Sequence, residues 1–104
     1  MKLVHLNEQA GFADNTPKMV VVHESEFMKV INFNFKAGQG LPLHSHDIEG
    51  ELVLCVISGT GEFLATESAT PAVAGDTLVC PIATPHGVRA ITDMKVLVTI
   101  APPI

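Results

Sequence analysis

Tryptophan and tyrosine are missing from this 104-residue chain, and five phenylalanines are all its aromatic content. Without tyrosine there is no phenol to serve as an acid or base. Cysteine occurs twice, as Cys55 and Cys80, too few for a disulfide framework and without CxxC spacing, so two buried free thiols are expected. Cations are scarce: six Lys and Arg against eleven Asp and Glu give a formal charge of −5, the wrong sign for gripping nucleic acid or an anionic membrane. The longest apolar run, Leu52 to Ile57, spans six residues, whereas a membrane-crossing helix needs about 20. The segment from Met1 to Asn7 has neither the apolar length nor the small-residue cleavage site of a signal peptide. These absences predict a soluble, cytoplasmic domain with no nucleic-acid and no membrane partner.

What remains is apolar enough to fold. Hydrophobic residues make up 47% of the chain and charged residues 16%, which excludes disorder of the low-hydrophobicity kind. A chain of 11.0 kDa makes one domain, residues 1–104, and folding hides about two-thirds of its surface. No sustained 3.6-residue apolar period is present. Short runs rich in Val, Ile and Phe are cut by Gly, Pro and Asn about every ten residues, the pattern of an all-β sandwich or barrel. Strands are predicted at Lys2–Leu6, Met19–His23, Phe27–Phe35, Leu52–Ile57, Gly61–Ala65, Thr77–Cys80, Gly87–Ala90 and Lys95–Ile100. The clearest alternation places Phe27, Ile31, Phe33 and Phe35 on one face and Met28, Val30, Asn32 and Asn34 on the other. The two asparagines then face either solvent or a pocket. Residues 8–18 read as a loop, and consecutive prolines keep Pro102 and Pro103 out of any central strand.

Placement, not number, makes the histidines informative. His44 and His46 stand two apart, so on an extended strand both imidazoles point the same way and suit one metal ion. Alone, such a pair is a weak signal. Asp47, Glu49 and Glu51 follow at once, and an isolated His86 lies beyond a second block punctuated by Gly and Pro. A rolled sheet would let these groups converge. His5 and His23 have no comparable company.

Two stretches of the chain resemble the cupin family. Its first motif, G-x5-H-x-H-x3,4-E-x6-G, is matched by Gly38, His44, His46, Glu51 and Gly59, across about residues 38–59. Its second, G-x5-P-x-G-x2-H-x3-N, is matched by Gly75, Pro81 and His86, across about residues 75–90, with Ala83 for the glycine and Ala90 for the asparagine. The resemblance is to a small single-domain cupin and covers about Phe27 to Val98. It implies a double-stranded β-helix, a small jelly-roll barrel of antiparallel strands. It also implies one divalent metal, Fe, Mn, Zn or Ni, held by His44, His46, Glu51 and His86. One departure bears on that set: seven residues separate Glu51 from Gly59 where the motif has six, which aligns Leu52 with the glutamate. A one-residue slip turns a side chain to the opposite face of its strand. A bulge at Gly50 would keep Glu51 on the metal; otherwise Glu49 substitutes, or the site is three histidines and water.

The resemblance implies chemistry on a small organic molecule, of isomerase, decarboxylase or dioxygenase type, through a metal that polarises oxygen or binds O₂. Near the site, only Asp47, Glu49 and Glu51 offer acid–base groups. The alternative is a non-catalytic module that binds or senses a small ligand at the same metal. The apolar residues of the N-terminal segment and of Met19–Val22 predict a homodimer.

Overall fold

Period-two alternation of buried and outward-facing side chains marks the longest strands, and strand pairing produces two facing sheets. The computed structural model describes all 104 residues. After a 3-10 turn at Leu6–Glu8 come nine strands: β1 (Lys18–Glu24), β2 (Lys29–Phe35), β3 (Gly40–His44), β4 (Glu51–Ser58), β5 (Thr60–Leu64), β6 (Ala69–Val73), β7 (Thr77–Pro81), β8 (His86–Ala90) and β9 (Met94–Ala101). One sheet has the order β1-β2-β9-β4-β7 and the other β3-β8-β5-β6. Every pairing is antiparallel, as in a jelly roll. Ile31, Phe33 and Phe35 of β2, Leu52, Leu54 and Val56 of β4, and Met94, Val96 and Val98 of β9 turn inward. They meet Phe63, Ala72, Val88 and Ala90 from the second sheet. No helix is long and apolar enough to cross a membrane.

The strands that the sequence conceals are both edges. β3 contains Pro42 and β6 contains Pro71 among alanines, which lowers their β signal. Both lie at the margins of the four-stranded sheet, where a missing ladder donor is tolerated. The predicted strand Lys2–Leu6 does not form. Its apolar residues are covered another way: Val4 and Leu6 share a hollow with Val22, Val30 and Leu97 on the outer face of the five-stranded sheet. Phe27 also leaves the expected face. Ser25 Oγ accepts hydrogen bonds from the N–H groups of Phe27 and Met28, holding them in a turn, and Phe27 is exposed.

Asn32 and Asn34 face neither open solvent nor the barrel interior; the N-terminal segment covers them, and both are buried. Asn34 Nδ2 donates to Gln9 O at 2.8 Å and Gly11 O at 2.9 Å, and its Oδ1 accepts from Lys95 Nζ at 2.9 Å. This amide fastens residues 9–11 to β2, and Lys95 Nζ, which also donates to Gln9 O, fastens them to β9. Asn34→Ala should cost about 2 kcal/mol, because it removes the hydrogen bonds of a buried amide and orphans Nδ2 of the buried Asn32. Urea melts would measure the loss, and native-state proteolysis should cut sooner within residues 1–17.

Candidate metal centre

The three motif histidines come from different elements and meet at one end of the barrel. His44 closes β3 and His86 opens β8, and the two are cross-strand partners. His46 lies in the loop after β3, its N–H donating to Ile82 O at 3.2 Å, while Ile82 N–H donates to Gly50 O at 3.0 Å. The buried Ile82 backbone thus clasps both ends of the 46–50 loop to the segment that leads into His86. Ring centroids are 5.6 Å apart for His44 and His46, and 4.5 Å for His44 and His86. Exposure is graded: His86 is buried, His44 half-buried and His46 exposed at the mouth.

Two of the rings share a local device. His44 Nδ1 lies 2.6 Å from Pro42 O, and His86 Nδ1 lies 2.7 Å from Thr84 O, each carbonyl two residues back. A carbonyl only accepts, so in each neutral ring Nδ1 carries the proton and Nε2 keeps its lone pair. That is the tautomer and anchoring a metal-bound imidazole uses. Burial first, and then the nearby His44 and His46, hold His86 below the ordinary histidine value of 6.5, while the Thr84 carbonyl opposes the shift.

This shift has a consequence for the metal-free protein. The unfolded chain takes up a proton near pH 6.5, while folded His86 resists it to a lower pH, so the unfolded state binds more protons in between. Its contribution is therefore complete above about pH 6.5 and is lost as pH falls toward the depressed folded value. Urea midpoints of the metal-free protein should decline from pH 7.5 to 5, and His86→Gln should flatten that decline.

Glu51 does not join the histidines. β4 pairs without interruption from Glu51 to Cys55 with β7, and from Glu51 to Val56 with β9. The strand's irregularity falls between Val56 and Ser58, too far on to re-aim Glu51. The bulge proposed at Gly50 is absent from these ladders, and strand phase turns Glu51 outward, where it is exposed, and Leu52 inward. Gly50 has another role. A Cβ there would stand 2.5 Å from Ala101 O and 2.5 Å from Pro102 Cδ, so only glycine lets the C-terminal tail pass. Asp47 and Glu49 are exposed as well. Arg89 points away from the site and pairs with Glu62. Cys55 and Cys80 are free thiols, half-buried where full burial was expected, and desolvation raises the Cys80 pKa.

Beneath the imidazoles lies a cavity of about 180 Å³. His44, His46 and His86 are its only titratable lining side chains; Leu41, Leu52, Leu54, Ile100 and Ile104 are among the others. Ile100 follows the inward phase of Met94, Val96 and Val98 on β9, whereas the contribution of the tail residue Ile104 carries no sequence signal, because it depends on where the tail crosses Gly50.

An ion bonded to ring nitrogen at about 2.1 Å sits about 3.2 Å from each ring centre, which places ligand rings about 4.5–5.5 Å apart. The His44–His86 separation stands at the lower end of that range and the His44–His46 separation just beyond its upper end. No group of three or more His, Cys, Asp or Glu side chains is yet drawn together as a ready ion-holding cluster. The exposed His46 is the ring with room to turn. In donor type the three histidines suit an all-imidazole centre, and His44 and His86 suit it in tautomer as well, whereas the four-ligand set with Glu51 does not fit.

Two antiparallel sheets enclosing an apolar pocket with imidazoles at its mouth define a jelly-roll barrel with a candidate ligand site. The chain belongs to the cupin family: residues 32–100 match the Cupin domain. It is 58% identical to an RmlC-like cupin protein from Desulfovibrio desulfuricans, over 100% of this chain and 99% of that one, with a TM-score of 0.96. TT1209 from Thermus thermophilus is 24% identical, covers 100% of both chains and has a TM-score of 0.90. A conserved protein with a double-stranded β-helix domain from Klebsiella pneumoniae is 23% identical, over 98% of this chain and 90% of that one, with a TM-score of 0.88. These last two likenesses concern the fold alone. No functionally curated protein matches the chain.

Proposed function

We propose that this cupin holds one divalent metal ion on His44, His46 and His86 and binds a small organic molecule beside it in the pocket. The observation that carries the reading is the paired Nδ1–carbonyl contact, which prepares His44 and His86 as Nε2 donors. Without a carboxylate the donor set is all imidazole, which suits Zn, Fe or Ni better than Mn. The ion, when bound, supplies Lewis acidity toward a ligand oxygen.

The same lining favours binding or sensing over proton-transfer chemistry. Committing three histidines to the ion leaves no titratable side chain among the pocket's lining residues to move a proton. Turnover of isomerase or decarboxylase type therefore lacks its acid–base partner. Oxidative turnover is the second reading, supported by a three-ligand centre that leaves coordination positions open. Protein purified without a histidine tag or chelator should carry about one metal per chain, whereas less than about 0.1, unrescued by added ion, overturns the reading. Melting with candidate ligands, followed by analysis of the same tube, separates binding from turnover: an unchanged stabilising compound supports binding, and product supports catalysis.

The partner proposed for this barrel is a second copy. Met19 and Val21 pair with Phe33 and Ile31, so they share the core-facing side of the sheet, yet both are exposed on the edge strand β1. Sedimentation should show a dimer for the wild type and a monomer for Met19→Glu/Val21→Lys, with an unchanged circular dichroism spectrum.

A further inference from the structure

The chemistry of the pocket wall narrows the ligand class. We infer that the pocket takes a small apolar monocarboxylic acid, its carboxylate at the imidazole end and its hydrocarbon body against Leu41, Leu52, Leu54 and Ile100. This rests on the ion reading above.

Three observations lead to it. First, the wall beyond the histidines is almost wholly hydrocarbon. A polyhydroxylated ligand would bury hydroxyls that find no partner there, each weakening binding by about tenfold or more. A branched or aromatic body instead gains from every carbon it removes from water. Second, the cavity holds about 180 Å³, below the roughly 300–1,000 Å³ of pockets that enclose drug-sized molecules. A nucleotide or an oligosaccharide is excluded by volume.

Third, the charge is uncompensated. Three neutral imidazoles around a divalent ion leave the centre at +2, and the carboxylates closest in sequence, Asp47, Glu49 and Glu51, are all exposed. An ion beside apolar walls is costly unless an anion is brought to it. No Lys or Arg lines the cavity, so a phosphate or second carboxylate at the far end would lie unpaired against hydrocarbon. The ligand is thus a monoanion with its charge at one end. Leu52 decides this outcome: by occupying the inward position of β4 that borders the histidines, it leaves the carboxylate to be supplied from outside.

The test uses full-length protein loaded with Co²⁺, whose visible spectrum reports its ligands. Benzoate and 3-methylbutanoate should each perturb that spectrum and raise the melting temperature. Gluconate and the neutral isostere benzamide should bind at least tenfold more weakly. Ile100→Asn and Leu41→Gln, both at half-buried positions, should weaken benzoate at least tenfold while Co²⁺ uptake stays stoichiometric. Two variants keep the test standing if one fails to fold. Co²⁺ bound stoichiometrically with gluconate as tight as benzoate, or with benzoate indifferent to both variants, overturns this inference and spares the ion site. Failure to bind Co²⁺ at all overturns the ion reading and this inference together.

Discussion

His86→Ala is expected to abolish most of the stabilisation that a divalent ion gives this protein. An ion present at a hundredfold over its dissociation constant, and bound only by the folded state, adds about 2.7 kcal/mol. In a domain of this length that corresponds to roughly 10–20 °C in melting temperature. His86 is the buried member of the trio, and its Nδ1 is tied to Thr84 O, so its Nε2 is the donor with least freedom to be replaced by water or a neighbour. Melting with and without Zn²⁺ separates the ion's contribution from the cost of truncating the ring. His5→Ala, at an exposed position outside the site, should retain the full response. A His86→Ala protein whose melting temperature still rises with ion as the wild type's does would remove His86 from the centre.

Leu52→Glu should have two effects of opposite sign. Without ion it replaces a buried leucine with a carboxyl group facing hydrocarbon, at a cost of about 3 kcal/mol. With ion it places a carboxylate on the inward face of β4 beside three imidazoles, and ion affinity should rise about tenfold or more. Glu51→Ala, on the outward face, should change stability by no more than about 0.5 kcal/mol and leave ion affinity alone. Isothermal titration with Zn²⁺, beside urea melts of the wild type and both variants, reads both quantities. Loss of ion binding in Glu51→Ala would show that β4 presents its other face to the site.

The contrast between residues 51 and 52 shows where sequence reading stops. The histidine positions are legible because each is bracketed by local punctuation: Gly38 and Gly40 before His44, and Gly75, Pro81 and Pro85 before His86. Glu51 sits in a run whose phase is set by its partners β7 and β9, and β9 lies about fifty residues away along the chain. Nothing within six residues of Glu51 announces that the irregularity falls near Ile57 and not at Gly50. The same reason leaves the setting of Asn34 open between solvent and a pocket; it is buried beside a hollow lined by Asn7, Ala10 and Gly11. Its pattern shows a polar residue on one strand face, and only the path of residues 9–11 shows what covers it. Val4 and Leu6 carry a strand-like alternation but pack against a sheet's outer face, because burial of their side chains does not require pairing of their backbone.

By itself, the sequence determined an all-β barrel of cupin type and the three imidazoles at its mouth, since period-two patterning, turn residues and motif spacing are properties of neighbouring residues. The tertiary structure alone decided that leucine and not glutamate faces those imidazoles, that the tail closes over Gly50 to bring Ile104 to the pocket, and that the wall is hydrocarbon. Those outcomes depend on the register between strands far apart in the chain, where a shift of one residue exchanges the two faces of a strand.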